Sequence, residues 1–141
     1  MDSRSVPILT PSLDLALVGN CTIGALIDRQ ARIVWCCMPR FDSTPVFDAL
    51  LHDAGEALAP GAFSIELEGL SSSTQAYEPN SAVLCTQLWD AQGNGIEVRD
   101  FAPRFVHHDR VFRPAQLVRR VLPLAGNPRI RIGLKPRGDW G

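Results

Sequence analysis

The string Pro39-Arg40-Phe41-Asp42-Ser43 puts a guanidinium fork, an aromatic face and a carboxylate into five consecutive residues. That mixture binds sugars, because a ring covers the apolar face of a pyranose while Arg and Asp hydrogen-bond its hydroxyls. Arg40, Phe41 and Asp42 are therefore the candidate substrate-binding residues. The structural alternative is that Arg40 and Asp42 pair with each other and cap the segment that follows, while Phe41 fills the core. The remaining reactive residue types point to less. In His107-His108-Asp109 adjacent imidazoles diverge and no third ligand converges, so a solvated loop is expected there and no metal site. Cys21, Cys36, Cys37 and Cys85 lack the C-x-x-C spacing of zinc ligands and read as reduced thiols, with Cys36 and Cys37 on opposite faces of a strand. Gly19-Asn20-Cys21-Thr22-Ile23-Gly24 is not a dinucleotide fingerprint, because no helical pattern follows it. The Gly of Arg137-Gly138-Asp139 meets a turn requirement and calls for no receptor. No cofactor is expected.

The elements that must hold these residues are strands. Apolar alternation at period two recurs at short intervals between Gly, Pro, Asn and Asp, which predicts an antiparallel all-β architecture packed as a sandwich. Strands are expected at Leu15–Val18, Thr22–Asp28, Arg32–Trp35, Ala62–Leu67, Gln75–Tyr77, Ala82–Trp89, Ile96–Phe101, Gln116–Leu122 and Arg129–Leu134. One short helix is expected after the Pro39–Ser43 loop, from a capping hydroxyl, Pro45 in the first turn and apolar spacing from Val46 to Leu51. It would end near Asp53-Ala54-Gly55. Asp90–Gly95 supplies residues that tolerate positive φ and predicts a hairpin between its flanking strands; Gly126-Asn127-Pro128 predicts another for the last two. The proline-rich 102–114 segment reads as a long loop across one end. Trp35 and Trp89 lie in apolar strand contexts and read as core rather than as sugar platforms.

Composition bounds the rest. At 141 residues, 45% hydrophobic and 21% charged, the chain reads as one globular domain, 1–141, able to bury a core without staples. No stretch approaches the ~20 apolar residues of a membrane helix, and a cytoplasmic protein is expected. Residues 1–98 hold 4 basic and 12 acidic groups, and residues 99–141 hold 10 and 3. The basic half alternates with apolar residues, as in Arg129-Ile130-Arg131-Ile132, so its arginines are expected to meet the acidic half across strands rather than bind nucleic acid.

Three segments together resemble the amino-terminal domain of glycoside hydrolase family fifteen, the glucoamylase and trehalase-like proteins. The first runs from Asp14 through Gly19-Asn20-Cys21-Thr22-Ile23-Gly24 to Asp28, then from Arg32 through Trp35-Cys36-Cys37-Met38-Pro39-Arg40-Phe41-Asp42-Ser43 to Phe47. The second is Tyr77-Glu78-Pro79-Asn80-Ser81-Ala82-Val83-Leu84 with Val98-Arg99-Asp100-Phe101-Ala102-Pro103, and the third is Leu117–Val121 with Lys135–Gly141. The resemblance implies a β-sandwich that continues into further strands and a barrel of paired helices. There, two glutamates cleave α-glucosidic bonds as acid and base; inverting geometry sets such carboxyls roughly 6.5–9.5 Å apart. Glu56, Glu66, Glu68, Glu78 and Glu97 match none of the family's catalytic motifs, so no catalytic residue is assigned and the chain alone is expected to be inactive. What the resemblance implies is a domain that packs on and orients a helical catalytic domain, with Trp140 at a position where the family places an aromatic. By the same resemblance residues 1–141 are expected to be an incomplete sandwich, truncated before the family's remaining strands and helical barrel, and an open edge left there could pair with a copy of the chain as a homo-oligomer. The alternatives are a stand-alone carbohydrate-binding module and a structural oligomerisation domain.

Overall fold

The computed structural model describes residues 13–52 and 61–138. Twelve strands and a single short 3₁₀ turn build it, all strand pairs being antiparallel. The first sheet has the order β1 (Ala16–Gly19), β2 (Gly24–Ile27), β3 (Ile33–Cys37), β5 (Phe63–Leu67), β12 (Ile130–Leu134), with β4 (Pro45–Phe47) also on β3. The second has the order β11 (Val118–Ala125), β8 (Gly95–Phe101), β7 (Leu84–Asp90), β6 (Leu70–Tyr77). Their inner faces meet in two clusters: Val18, Ala25, Ile27, Ile33 and Cys36 receive Leu84 from the second sheet, and Ile65 and Leu67 pack with Leu88, Ile96 and Val98. Each fully buried aliphatic side chain in such a core contributes about 1.5–3 kcal/mol of transfer free energy.

The expected Asp90–Gly95 hairpin is present. Asp90 Oδ1 accepts the N–H groups of Gln92 (2.8 Å) and Asn94 (2.9 Å), closing the turn that registers Trp89 opposite Gly95. The expected hairpin at Gly126-Asn127-Pro128 is not. β11 pairs with β8 and β12 with β5, so this turn carries the chain from one sheet to the other. Turn chemistry specifies that a chain reverses, not which strand it then pairs with. Gly126 is required here by geometry: its φ is +69° and a Cβ would stand 2.0 Å from Asn94 Oδ1, the atom that accepts the Asn127 N–H at 2.8 Å.

The helix expected over 46–51 shrinks to a 3₁₀ turn, Ala49–Leu51, because Pro45–Phe47 pairs with β3 instead. Asp48, not Ser43, stands at its start, and no side chain caps it. The segment expected as a loop over 102–114 contains a two-stranded hairpin, β9 (Phe105–His107) and β10 (Arg110–Phe112). β6 begins at Leu70, well before the expected Gln75, since the Ser71-Ser72-Ser73-Thr74 run of an edge strand carries no apolar alternation. The expected helix end at 53–55, Glu56, Asp139 and Trp140 lie outside the described residues.

Candidate functional site

The Pro39–Ser43 loop leaves β3 and returns into β4. Ser43 closes it, its Oγ accepting the Arg40 N–H at 3.2 Å and its own N–H donating to the Arg40 carbonyl at 3.1 Å. Arg40 Nε stands 3.2 Å from Asp42 Oδ1, and both side chains are more than 70% exposed, at 71% and 73%. The pairing expected of them is there; the capping is not. Phe41 does not fill the core either: it is 59% exposed. Its ring edge lies over Gly24 beside Leu17, close enough that a Cβ on Gly24 would meet Phe41 Cε1 at 3.1 Å and Leu17 Cδ1 at 3.3 Å.

Cross-strand register extends this surface. Leu17 stands opposite Leu26, and Leu26 opposite Trp35, on the face of the first sheet turned away from the core. Phe41 thus joins a strip of Leu17, Leu26 and the half-buried Trp35, with the Arg40–Asp42 pair at its margin. At the foot of the loop a recess of about 340 Å³ is lined by Met38, Pro39, Thr44, Pro45 and Arg137. Chemically this is an apolar platform with a fork of donors and a carboxylate beside it. It can stack and hydrogen-bond; a solvated ion pair is not arranged to transfer a proton. Trp35 and Trp89, expected as core, are only partly buried, and Gly95 lies directly under the Trp89 ring.

A second feature has no counterpart in the sequence reading. All six strand residues of the β9–β10 hairpin are exposed. Phe105 and Phe112 stack at 5.3 Å and 14° on one face, beside His107; Val106 and Val111 stand opposite each other on the other face, 69% and 53% exposed. His108 and Asp109 form the tip with φ of +48° and +58°, the pattern of a two-residue type I′ turn. The base is held firmly. Buried Asn20 donates from Nδ2 to the carbonyls of Pro103 (2.9 Å) and Pro114 (2.7 Å), one on each leg, and its Oδ1 accepts the N–H groups of Thr22 and Ile23. Thr22 Oγ1 adds a bond to the Arg113 carbonyl at 2.9 Å. The near-symmetry Phe-Val-His / Arg-Val-Phe about His108-Asp109 was the signal for this hairpin, hidden by its flanking prolines.

Buried charge lies elsewhere. Arg119 and Asp100, 4% and 2% exposed, face each other across β11 and β8, with Nε to Oδ1 at 2.6 Å and Nη2 to Oδ2 at 3.1 Å. Arg119 also donates to the carbonyls of Phe63 (2.9 Å) and Ala31 and lies 4.8 Å over the Phe63 ring, so it ties the second sheet to the first. Burial pushes the Asp100 carboxyl above its ordinary value, with the Arg119 bonds pulling it back. On the outer face of β8, Arg99 joins Glu97 and Glu78, and its hydrogen bond holds Glu97 below the usual range. Of these pairs only Arg99–Glu78 joins the basic half to the acidic half across the sheet, as the charge asymmetry predicts; Arg119–Asp100 lies within the basic half and Arg99–Glu97 within β8. Asp48, also buried, sets Oδ2 3.3 Å from His52 Nε2. The four thiols are free, and burial beside Cys37 pushes Cys36 up to about 11. Among the described residues no helix is long and apolar enough to cross a membrane.

Residues 8–141 match the family model described as "Trehalase-like, N-terminal". Among curated proteins, a trehalase of Mycolicibacterium smegmatis (strain ATCC 700084 / mc(2)155) is 27% identical over 99 residues, which are 70% of this chain and 14% of that enzyme. The chain therefore matches only a small part of the relative's length. No solved structure gives a significant match.

Proposed function

The chain belongs to the trehalase-like N-terminal family, and from that premise we propose that it is the amino-terminal β-sandwich of a glycoside hydrolase acting on α-glucosidic bonds, packing on and orienting a helical catalytic domain. The observation that carries this reading is the β9–β10 hairpin. A two-stranded ribbon is marginal in water by itself, and this one exposes Phe105, Val106, Val111 and Phe112 while Asn20 and Thr22 clamp its base. Such a stiff apolar arm is suited to a neighbouring domain. The setting is read as cytoplasmic, in keeping with the free thiols. The test is a full-length relative carrying Phe105→Ser and Phe112→Ser at the matching positions. Domain packing predicts a lower Tm for the catalytic domain; an unchanged Tm and unchanged kinetics reject it.

A second role follows from the loop. Arg40, Phe41 and Asp42, with Trp35 beside them, are proposed to contact substrate at the entrance of that catalytic domain. Arg40→Ala with Asp42→Ala in the same relative is expected to raise KM severalfold with little change in kcat, and unchanged kinetics reject this role. Titrating trehalose, maltose and a glucan against tryptophan fluorescence of the isolated chain separates it from a stand-alone carbohydrate-binding module, which would respond without a catalytic domain.

A further inference from the structure

The recess under the Pro39–Ser43 loop and a second, larger one each hold an arginine, and the two arginines are differently satisfied. In the first, Arg137 Nη1 lies 2.9 Å from His52 Nε2. The second, of about 580 Å³, opens at the root of the β9–β10 hairpin, between the β1–β2 turn, the approach to β7 and the end of β8. Val83, Phe101, Pro103 and Phe105 wall it, and Arg104 and Cys21 supply its reactive groups. Arg104 Nη1 donates to the Cys21 thiol at 3.2 Å, a weak acceptor, and Arg104 takes part in none of the ion pairs among the described residues. No lining residue carries a carboxylate. Glu78, whose N–H donates to the Val83 carbonyl at 2.9 Å, gives its own carboxylate to Arg99, and Asp100, beside Phe101 in sequence, is bound to Arg119. A guanidinium with donors to spare thus stands at an apolar recess, and the neighbouring acids are already engaged.

The walls are fixed before anything binds. Buried Asn20 donates to the Pro103 carbonyl on one side and accepts the Thr22 and Ile23 N–H groups on the other, so one side-chain amide sets the backbone next to both Arg104 and Cys21. Cys21 itself holds a φ of +71°, and the turn before it has no room for a side chain, since a Cβ on Gly19 would stand 2.6 Å from the Ile23 carbonyl oxygen. Such preorganisation lowers the cost of binding. We propose that this recess binds a small organic monoanion, a carboxylate or sulfonate carried on an aromatic body. The guanidinium fork of Arg104 takes two oxygens of the anion, and the rings of Phe101, Pro103 and Phe105 meet the body. One cation matches one negative charge, so a phosphate dianion is left half-neutralised. The apolar walls offer the hydroxyls of a sugar no partners, which separates this recess from the Arg40–Phe41–Asp42 surface. Its volume falls in the range of small-molecule sites, roughly 300–1,000 Å³. The inference goes beyond domain packing and needs no catalytic domain, for Val106, Val111 and Phe112 of the hairpin do not line the recess.

The probe is 8-anilinonaphthalene-1-sulfonate, an aromatic monoanion whose fluorescence rises when it leaves water, titrated into the 141-residue chain. Saturable binding at a single site is expected. Arg104→Gln, at an exposed position where folding is not at stake, should raise the dissociation constant about tenfold or more through loss of charge-assisted hydrogen bonds. N-phenyl-1-naphthylamine, the same body without the sulfonate, should bind the wild-type chain about tenfold more weakly and be indifferent to Arg104→Gln. Saturating sulfonate probe should also slow alkylation of the exposed Cys21 by iodoacetamide severalfold, read by peptide mass, while the half-buried Cys85 keeps its rate. Ile132→Ser, at an apolar residue of β12 that is 60% exposed and does not line the recess, should leave the dissociation constant unchanged. Equal affinity for the neutral analogue, an Arg104→Gln chain that binds as the wild type does, or an unprotected Cys21 overturns the proposal. So does equal weakening by Ile132→Ser, the mark of unspecific apolar capture.

Discussion

The two long sides of the sandwich are closed by different chemistry. Where Tyr77 at the end of β6 meets β1, neutral groups make the join: Tyr77 bonds both backbone groups of Leu17, and Gln75 Nε2 donates to the carbonyl of Asp28, just after β2, at 2.9 Å. On the side of β11 and β12 the tie lies further in, at the buried Arg119–Asp100 pair, whose guanidinium reaches the carbonyls of Phe63 and Ala31. Outside it Ile130, Ile132 and Leu134 are left uncovered. A margin closed by polar side chains satisfies edge backbone groups directly, here those of Leu17. A margin held from within leaves apolar side chains exposed outside the tie among the described residues.

The comparison breaks most visibly if the inner tie is cut on one side only. Asp100→Ala leaves the Arg119 guanidinium buried without its counter-charge, a change that typically costs 3 to 5 kcal/mol, so we expect a loss of about 4 kcal/mol in urea unfolding. Asp100→Leu combined with Arg119→Met removes both charges and should cost clearly less than the sum of the single changes. If the double variant loses as much as that sum, the pair is not a unit and the contrast between the sides fails.

Cutting the neutral join should do less. Tyr77→Phe keeps the ring and removes one hydroxyl that donates to and accepts from the Leu17 backbone; about 1 kcal/mol is expected, with faster amide exchange confined to Leu17. A loss equal to that of Asp100→Ala would reverse the ordering proposed for the two sides.

How far all this was legible in the sequence follows range of interaction. The β7–β8 hairpin was readable because alternation and turn chemistry both act within a few residues. The destination of the chain after Gly126 was not, because β12 chooses β5 through side chains distant in sequence. Arg40 and Asp42 were identifiable as a pair from their spacing, but the outward lie of Phe41 depends on the absence of a side chain at Gly24, on another strand. The Asn20 clamp was equally hidden: an asparagine after glycine reads as a turn residue, and only the fold brings Pro103 and Pro114 to its amide. Pairing between the two halves was legible for Arg99 and Glu78; that Arg119 would bury its charge against Asp100, inside the basic half, required knowing which face of β8 is inside.

The smallest effect concerns the titration of the inner tie. Burial raises the Asp100 carboxyl above its ordinary 3.8, so the folded state holds that proton more tightly than the unfolded state does. Its contribution is full below the unfolded value and is lost as pH rises through the folded one. Glu97, on the outer face of the same strand, has the opposite sign: the Arg99 hydrogen bond holds it below its ordinary 4.5, so its contribution is present above that value and lost as pH falls through the folded one. Unfolding midpoints measured at stepped pH should show wild type losing ground to Asp100→Asn as the medium becomes less acidic, and losing ground to Glu97→Gln as it becomes more acidic. Two slopes of the same sign would mean that Asp100 behaves as a solvated carboxylate with a strong partner, and that the inner tie is no different in kind from the pairs on the outer face.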